Sequence, residues 1–489
     1  MYEKFGQFID GKWCQSSDKA TYEVINPANE EVIGYASKAT PEDVDKALKS
    51  AEKGMEVWKK TAPWQRSYII RRIADKMREK QDVLAKWMTL EVGKPLAEAK
   101  GEIGGAADIF EWNAEETKRI YGQTVESRFE DTRVHVYYQP VGVVAAIVPW
   151  NSQLFLSAVK VGPALAAGCS VVLKASEEGP APLLAFARLV HEAGFPAGVV
   201  NVITGFAAEC GAVLTRHPDV AHVAFTGGPE TAQHIVRNSA ENLAKVSLEL
   251  GGKSPFIVFA DADLQSAVNA QVAAIFAATG QSCVAGSRLL VEESIKDEFV
   301  QRLVQRVQSI KIGLPEDMAT EFGPLCTLRQ RQKIEQIVAS SIQQGAKLLT
   351  GGESIDRAGY YYPPTILDCS DATQADCVMN ELFGPVLSVV SFKTELEAIH
   401  TANNTAYGLA AGVFTSNLSR AHRMTKAIQS GIVWLNTYRA VSPLAPFGGH
   451  GLSGHGREGG FEAVFDYTTT KTVWLRTSDQ PIDDPFIMR

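Results

Sequence analysis

From residue 143 onward, short continuous apolar runs recur at 143–148, 171–173, 199–203 and 222–225, with helical stretches such as 181–193 and 230–239 between them. Runs spaced in this way, each pair bridged by a helix, predict right-handed βαβ units and a parallel sheet. Continuous rather than alternating hydrophobicity suits strands covered on both faces. A second series begins near Pro255. There 256–259, 288–291, 386–392, 411–414 and 432–435 read as strands, and 264–278, 296–310 and 416–429 as helices. Two such layers predict an α/β fold of two doubly wound, Rossmann-like domains with a ligand cleft between them.

Ahead of these layers, residues 5–13 read as a hairpin turning at Asp10-Gly11. Thr40-Pro41-Glu42-Asp43 carries a cap hydroxyl, an early proline and acidic first-turn residues, which start a helix. Val44, Ala47, Leu48, Ala51, Met55 and Trp58 then give that helix one buried face. The text from 64 to 119 is helical, rich in Lys, Glu and Ala, and carries no motif. Residues 125–139 alternate as an exposed ribbon, and 466–476 form a strand-like tail. Isolated ribbons need a partner to be stable, so both read as a small β oligomerisation element.

Composition narrows the picture. With 489 residues, 45% hydrophobic and 21% charged, the chain is globular rather than disordered. Its 48 Lys and Arg against 56 Asp and Glu leave a net charge of −8, which argues against nucleic acid as a partner. The longest apolar stretch, 141–150, is half of the roughly 20 residues a membrane-spanning helix needs. The segment 1–6 has no apolar core, so no membrane partner and a cytoplasmic location are expected. Seven cysteines (Cys14, Cys169, Cys210, Cys283, Cys326, Cys369 and Cys377) lack CxxC or CxxH spacing, so neither a disulfide framework nor a metal site is expected.

Cys283 lies in Thr279-Gly-Gln-Ser-Cys-Val-Ala-Gly-Ser-Arg288, after a helix and before a strand, with Gly280 and Gly286 on either side. That setting suits a presented nucleophile, although most cysteines are small packed hydrophobes. Glu249 stands between two leucines before Gly251-Gly252, where burial would raise its pKa and fit it for general-base work. An ion pair with Lys253 is the alternative. Asn151 follows the first strand and could donate to an oxyanion, or serve as an ordinary turn residue. Lys174, with Glu177 three residues on, ends the second strand, a position facing an adenosine ribose in Rossmann-like sheets. Gly205 and Thr226-Gly227-Gly228 are strand-to-helix turns able to free amides for phosphate. A true G-x-G-x-x-G is absent.

Val148-Pro-Trp-Asn151, Lys174 with Glu177, Phe225-Thr-Gly-Gly228, Leu248-Glu-Leu-Gly-Gly-Lys-Ser-Pro255, Gly280-Gln-Ser-Cys283, Glu381-Leu-Phe-Gly-Pro385 and Pro446-Phe-Gly-Gly449 occur in that order. Taken together, the sequence resembles the NAD(P)-dependent aldehyde dehydrogenase superfamily over essentially its whole length. The resemblance implies oxidation of an aldehyde to its carboxylic acid. Cys283 would be the nucleophile, Asn151 the oxyanion donor and Glu249 the general base. It implies NAD as cofactor, with NADP possible, held by Trp150, Lys174, Glu177, Gly205, Phe225, Thr226, Gly227, Gly228, Glu381 and Phe383. It also implies a cofactor-binding domain of 1–121 and 141–252, a catalytic domain of 253–464, and an oligomerisation element of 122–140 and 465–489 that builds a homodimer or homotetramer.

The substrate wall would comprise Ser152, Phe155, Leu156, Val159, Ser282, Val284, Val441, Leu444 and Phe447. Arg439 could recognise a carboxylate or hydroxyl-bearing tail, or be a solvated loop residue. Several positions depart from the family pattern. Gly228 replaces a common Ser, and Ala232 a frequent Gly. Ser152 replaces a common aromatic residue, and Val159 a common Trp or Arg, which suggests a wide tunnel and lowers betaine aldehyde as a substrate. A coenzyme-A-acylating relative is the alternative enzyme reading, disfavoured by Glu249. A non-catalytic protein retaining the fold is disfavoured by the joint presence of Cys283, Asn151 and Glu249.

Overall fold

The computed structural model describes residues 6–487; residues 1–5 and 488–489, and with them most of the 1–6 segment and the first position of the expected hairpin, lie outside the described residues. Two large sheets carry the fold. The first has eight strands in the order Gly454–His455, Lys245–Glu249, Val220–Thr226, Val143–Ile147, Ser170–Lys174, Val200–Ile203, Gln7–Ile9 and Lys12–Cys14. Its five central strands are parallel. The chain order reverses between Val143–Ile147 and Val220–Thr226, which opens a crevice at their C-terminal ends, where open α/β sheets hold ligands.

Both faces of this sheet are covered. Val143, Ala145 and Ile147 pack with Val44, Ala47 and Leu48 on one side, while Val144 and Ala146 join Leu165, Phe186 and Ile70 on the other. The expected helix start is a full capping box between Thr40 and Asp43, opening Pro41–Trp58. Asp10 and Gly11 turn the first hairpin with positive φ of 56° and 71°, the geometry a two-residue hairpin favours.

The second sheet runs Lys347–Thr350, Thr365–Asp368, Val386–Phe392, Arg288–Glu292, Pro255–Val258, Ala410–Phe414 and Ile432–Leu435, parallel except for its first pair. Helices Leu264–Phe276 and Lys296–Gln308 cover one face, and Leu328–Gln343, Glu395–Asn403 and Leu418–Ala427 the other. A third sheet joins Gln123–Val125, Thr132–Pro140 and Thr468–Arg476 antiparallel. Among the described residues no helix is long and apolar enough to cross a membrane.

Several sequence expectations need correction. The strand Lys245–Glu249 was not expected; only its last two residues are buried, so it lacks a continuous apolar run. Helix Gln153–Ala167 is the expected bridge between the first two strands, but its bounds are not marked in the sequence, because nearly every side chain in it is buried and no polar face shows its period. The 125–139 ribbon is interrupted at 126–131. The helix expected over 264–278 stops at Phe276, since Ala278 and Thr279 take left-handed backbone.

Helix Pro41–Trp58 approaches the first sheet closely at Gly54, where a Cβ would fall 2.3 Å from the carbonyl carbon of Gly198 and 2.4 Å from the nitrogen of Val199. Gly54→Ala should therefore overpack this junction at a cost of about 1–3 kcal/mol. A urea midpoint equal to that of the parent protein would refute the close approach.

Candidate active site

The crevice between the two sheets contains a cavity of about 560 Å³ lined by residues from both. Trp150, Asn151, Ser152, Phe155, Leu156 and Val159 enter it from the turn and helix that follow strand Val143–Ile147. Thr226, Gly227 and Gly228 enter from the end of Val220–Thr226. Ser282, Cys283, Val284, Glu381, Phe383, Arg439, Val441 and Phe447 come from loops of the second layer. Thus 17 of the positions read from the sequence converge on one space.

The remainder lie around it. Phe225 packs beneath Gly227, where a Cβ would meet its ring at 2.4 Å. Lys174, Glu177 and Gly205 stand at the ends of the neighbouring strands Ser170–Lys174 and Val200–Ile203, outside the cavity lining. Lys174 Nζ donates to Glu177 Oε2 at 3.1 Å. Leu444 is exposed and is absent from the lining, which corrects its expected place in the wall. Glu249 also lies behind the lining rather than in it.

Glu249 is 4% exposed, and neither carboxylate oxygen has a hydrogen-bond partner. Burial, reinforced by the nearby Glu458 carboxylate, holds its pKa well above the usual range, with Lys160 and Arg457 opposing. Glu458 lines the cavity and is itself paired to buried Lys160. The expected alternative, an ion pair of Glu249 with Lys253, does not form: the Lys253 amine is buried without a hydrogen-bond partner. Burial pushes the Cys283 thiol up to about 12, assisted by the charges of Glu381 and Glu249 and opposed by Arg439. Burial raises Glu381 to about 7, while the Gly252 N–H, 3.0 Å from Oε1, and Lys253 favour its ionised form.

Asn151 Nδ2 donates to the Gln281 carbonyl at 3.0 Å, so its amide lies two residues from the thiol. The Asn151 carbonyl accepts from Lys94 Nζ at 2.6 Å, and Lys94 is paired to Glu102 with both side chains about 7% exposed. Glu98 accepts the Ala278 N–H with both oxygens. These three residues come from the stretch that the sequence reading found empty of motif. Lys94 and Glu98 reach backbone groups 57 and 180 positions away, so no local pattern marks them. Arg439 is half-buried in a loop. It is the one cation in the described lining, and its Nη1 donates to the Ala273 carbonyl at 3.0 Å.

Comparison with known proteins gives a consistent result. Residues 13–473 match the model of the aldehyde dehydrogenase family. The chain is 64% identical, over the full length of both proteins, to (Z)-2-((N-methylformamido)methylene)-5-hydroxybutyrolactone dehydrogenase of Acinetobacter baylyi. It is 42% identical to an NADP⁺ succinate-semialdehyde dehydrogenase of Escherichia coli, covering 96% of this chain and 97% of the relative. A solved structure of betaine aldehyde dehydrogenase from Staphylococcus aureus in complex with NAD⁺ superposes with a TM-score of 0.96 at 38% identity, covering 100% of this chain and 98% of that one.

Removing Lys94 would leave Glu102 as an uncompensated, mostly buried charge. Lys94→Met should destabilise the protein by about 3–5 kcal/mol, and the double variant Lys94→Met/Glu102→Leu should recover most of that loss. Thermal melting distinguishes the two. A double variant no more stable than the single one would show that Lys94 contributes something other than this ion pair.

Proposed function

The chain belongs to the aldehyde dehydrogenase family and oxidises an aldehyde to its carboxylic acid, and we propose that its substrate is a short aldehyde that also carries a carboxylate. The observation that carries this reading is Arg439, the single cation of the lining, placed close enough to Cys283 for its charge to pull the thiol downward. Guanidinium forks match carboxylates in planar, bidentate geometry. The relatives point the same way. A 5-hydroxybutyrolactone is the ring-closed form of a four-carbon aldehyde acid, and succinate semialdehyde is the simplest such acid. With Ser152 and Val159 in the wall, the cavity has room for a substituent on that chain.

The groove at the strand ends suits a nicotinamide dinucleotide. Thr226 Oγ1 is buried without a partner, and the position of a Cβ on Gly228 meets no atom within 4 Å. Thr226, Gly227, Gly228 and Gly205 would hold the pyrophosphate, with Phe225 beneath them, and Lys174 and Glu177 the adenosine ribose. Glu381, Phe383 and Trp150 would hold the nicotinamide half; the last two rings already meet edge-on at 5.6 Å. The Glu177 carboxylate would repel a 2′-phosphate, which favours NAD over NADP. When bound, the dinucleotide supplies the hydride acceptor that the oxidation requires.

In this reading the sequence ranges keep their parts: 1–121 with 141–252 bind the cofactor, and 253–464 bring the nucleophile. The Cys283 sulfur adds to the aldehyde carbonyl after losing its proton. Glu249, whose charge that thiol already feels, is the buried base able to hold the proton. The Asn151 amide, turning from the Gln281 carbonyl, and the Cys283 N–H would receive the oxyanion. Each such donor contributes about 10²–10³ in rate. Once it has passed that proton to solvent, Glu249 would take another from the water that attacks the Cys283 thioester and releases the acid. Its presence weighs against acyl transfer to coenzyme A.

A panel of aldehydes with NAD and NADP tests the reading, with Cys283→Ala as the inactive control. Arg439→Met should lower the preference for carboxylate-bearing over neutral aldehydes by about 10- to 100-fold, the worth of one charge-assisted contact. An unchanged ratio would sink the substrate assignment.

We also propose that the chain forms a homodimer or homotetramer through the sheet of 122–140 and 465–489. Strand Thr468–Arg476 pairs on one side only and presents Trp474, 61% exposed, and Leu475. Trp474→Glu should shift the protein to a smaller species in sedimentation velocity; an unaltered profile would place the interface elsewhere.

A further inference from the structure

Helix Leu96–Glu116 carries in its first turn a carboxylate that the reaction above does not use. Both oxygens of Glu98 accept the Ala278 N–H, at 3.1 and 2.9 Å. Ala278 opens three successive residues in left-handed backbone, with φ of 52°, 56° and 71° at Ala278, Thr279 and Gly280. Alanine and threonine rarely adopt this conformation, and it persists only where surrounding contacts impose it. The turn ends helix Leu264–Phe276 and lies immediately before Gln281-Ser282-Cys283.

The other holds act on the Ala278 carbonyl, which accepts the Gln281 N–H at 3.0 Å, or further along the turn. Thr279 Oγ1 donates to the Gly323 carbonyl at 3.2 Å. Gly280 presses on Gly384, where a Cβ would fall 2.3 Å from the carbonyl, so only glycine fits. Gln281 Oε1 accepts the Cys326 N–H at 2.8 Å. At the point where the backbone first turns left-handed, Glu98 is the acceptor. Lys94 and Arg439 favour its ionised form, while burial and Glu102 oppose it.

We propose that Glu98 is a positioning residue whose carboxylate, by accepting the Ala278 amide, holds the left-handed turn that presents the Cys283 sulfur to the aldehyde. The inference rests on Cys283 being the nucleophile. Small displacements of a reacting atom are costly, so Glu98→Ala should lower aldehyde kcat/KM by about 10²-fold while leaving the Kd for NAD unchanged.

A second readout needs no turnover. Alkylation of Cys283 by iodoacetamide, followed through the mass of its own peptide so that exposed Cys14 is counted apart, reports the sulfur's surroundings directly. Burial keeps that thiol protonated, so a relaxed turn that admits water should move the alkylation midpoint to lower pH in Glu98→Ala. Glu98→Gln retains an acceptor oxygen and should stay near the parent in both measurements. Glu98→Asp keeps the charge but is one methylene shorter, and should resemble Glu98→Ala; it carries the test should the alanine variant not fold. A parent-like kcat/KM and alkylation profile in both Glu98→Ala and Glu98→Asp would overturn the proposal. So would a glutamine variant as impaired as the alanine one, because charge rather than the hydrogen bond would then be responsible. Turnover persisting in Cys283→Ala would instead overturn the underlying reading of the nucleophile.

Discussion

The two groups proposed to meet the same carbonyl, Asn151 and Cys283, follow strands of different sheets, and the segment 94–102 fastens the backbone beside both. Lys94 holds the carbonyl of Asn151 at the end of a strand of the first sheet, while Glu98 holds the amide of Ala278 just ahead of Cys283 in the second layer. Glu102 neutralises Lys94 and reaches the amide of Phe155 at 3.4 Å. On this helix Glu98 and Glu102 are one turn apart, a like-charged spacing that isolated helices disfavour. Here each charge has its own buried partner, so the repulsion is offset by contacts that fix the crevice.

The electrostatics of the crevice favour protonated groups. Cys283 is held far above an ordinary thiol, Glu249 well above an ordinary carboxylate, and Glu381 near 7, all chiefly through desolvation. Arg439 is the counterweight. Its charge favours the ionised forms of both Cys283 and Glu98, so the residue proposed to anchor a substrate carboxylate also acts on the proposed nucleophile and its proposed support.

The sequence was most legible where backbone and side chain carry the same signal. Val386–Phe392, apolar but for two serines, and Ile432–Leu435, apolar throughout, have in the structure the bounds that the sequence predicts. The motif residues sit at strand ends and turns, where sheet geometry brings them together without further instruction. Lys245–Glu249 was missed because its first residues are only partly covered, so it alternates weakly. The bounds of Gln153–Ala167 are hidden for the opposite reason, the helix being buried all round. Lys94 and Glu98 are illegible because each grips a backbone group whose identity is the same in every residue. A side chain that recognises a peptide N–H or C=O leaves no complementary letter elsewhere in the chain.

That asymmetry suggests how substrate choice can vary on a constant frame. The contacts that register Asn151 with Cys283 are made to main-chain atoms and are indifferent to the side chains of the wall. Ser152 and Val159, which depart from the common pattern, lie on that wall without taking part in the clamp beyond a 3.4 Å contact from Lys94 to Ser152. Changing their size alters the space around an aldehyde and leaves the nucleophile where the backbone puts it. Arg439 is less free, because its backbone is left-handed at φ 59° and its guanidinium is tied to the Ala273 carbonyl near the end of the helix that leads to the turn. Recognition of a carboxylate and alignment of the thiol are thus linked through one short stretch of chain, 273–283. A substitution there would be felt in specificity and in rate together.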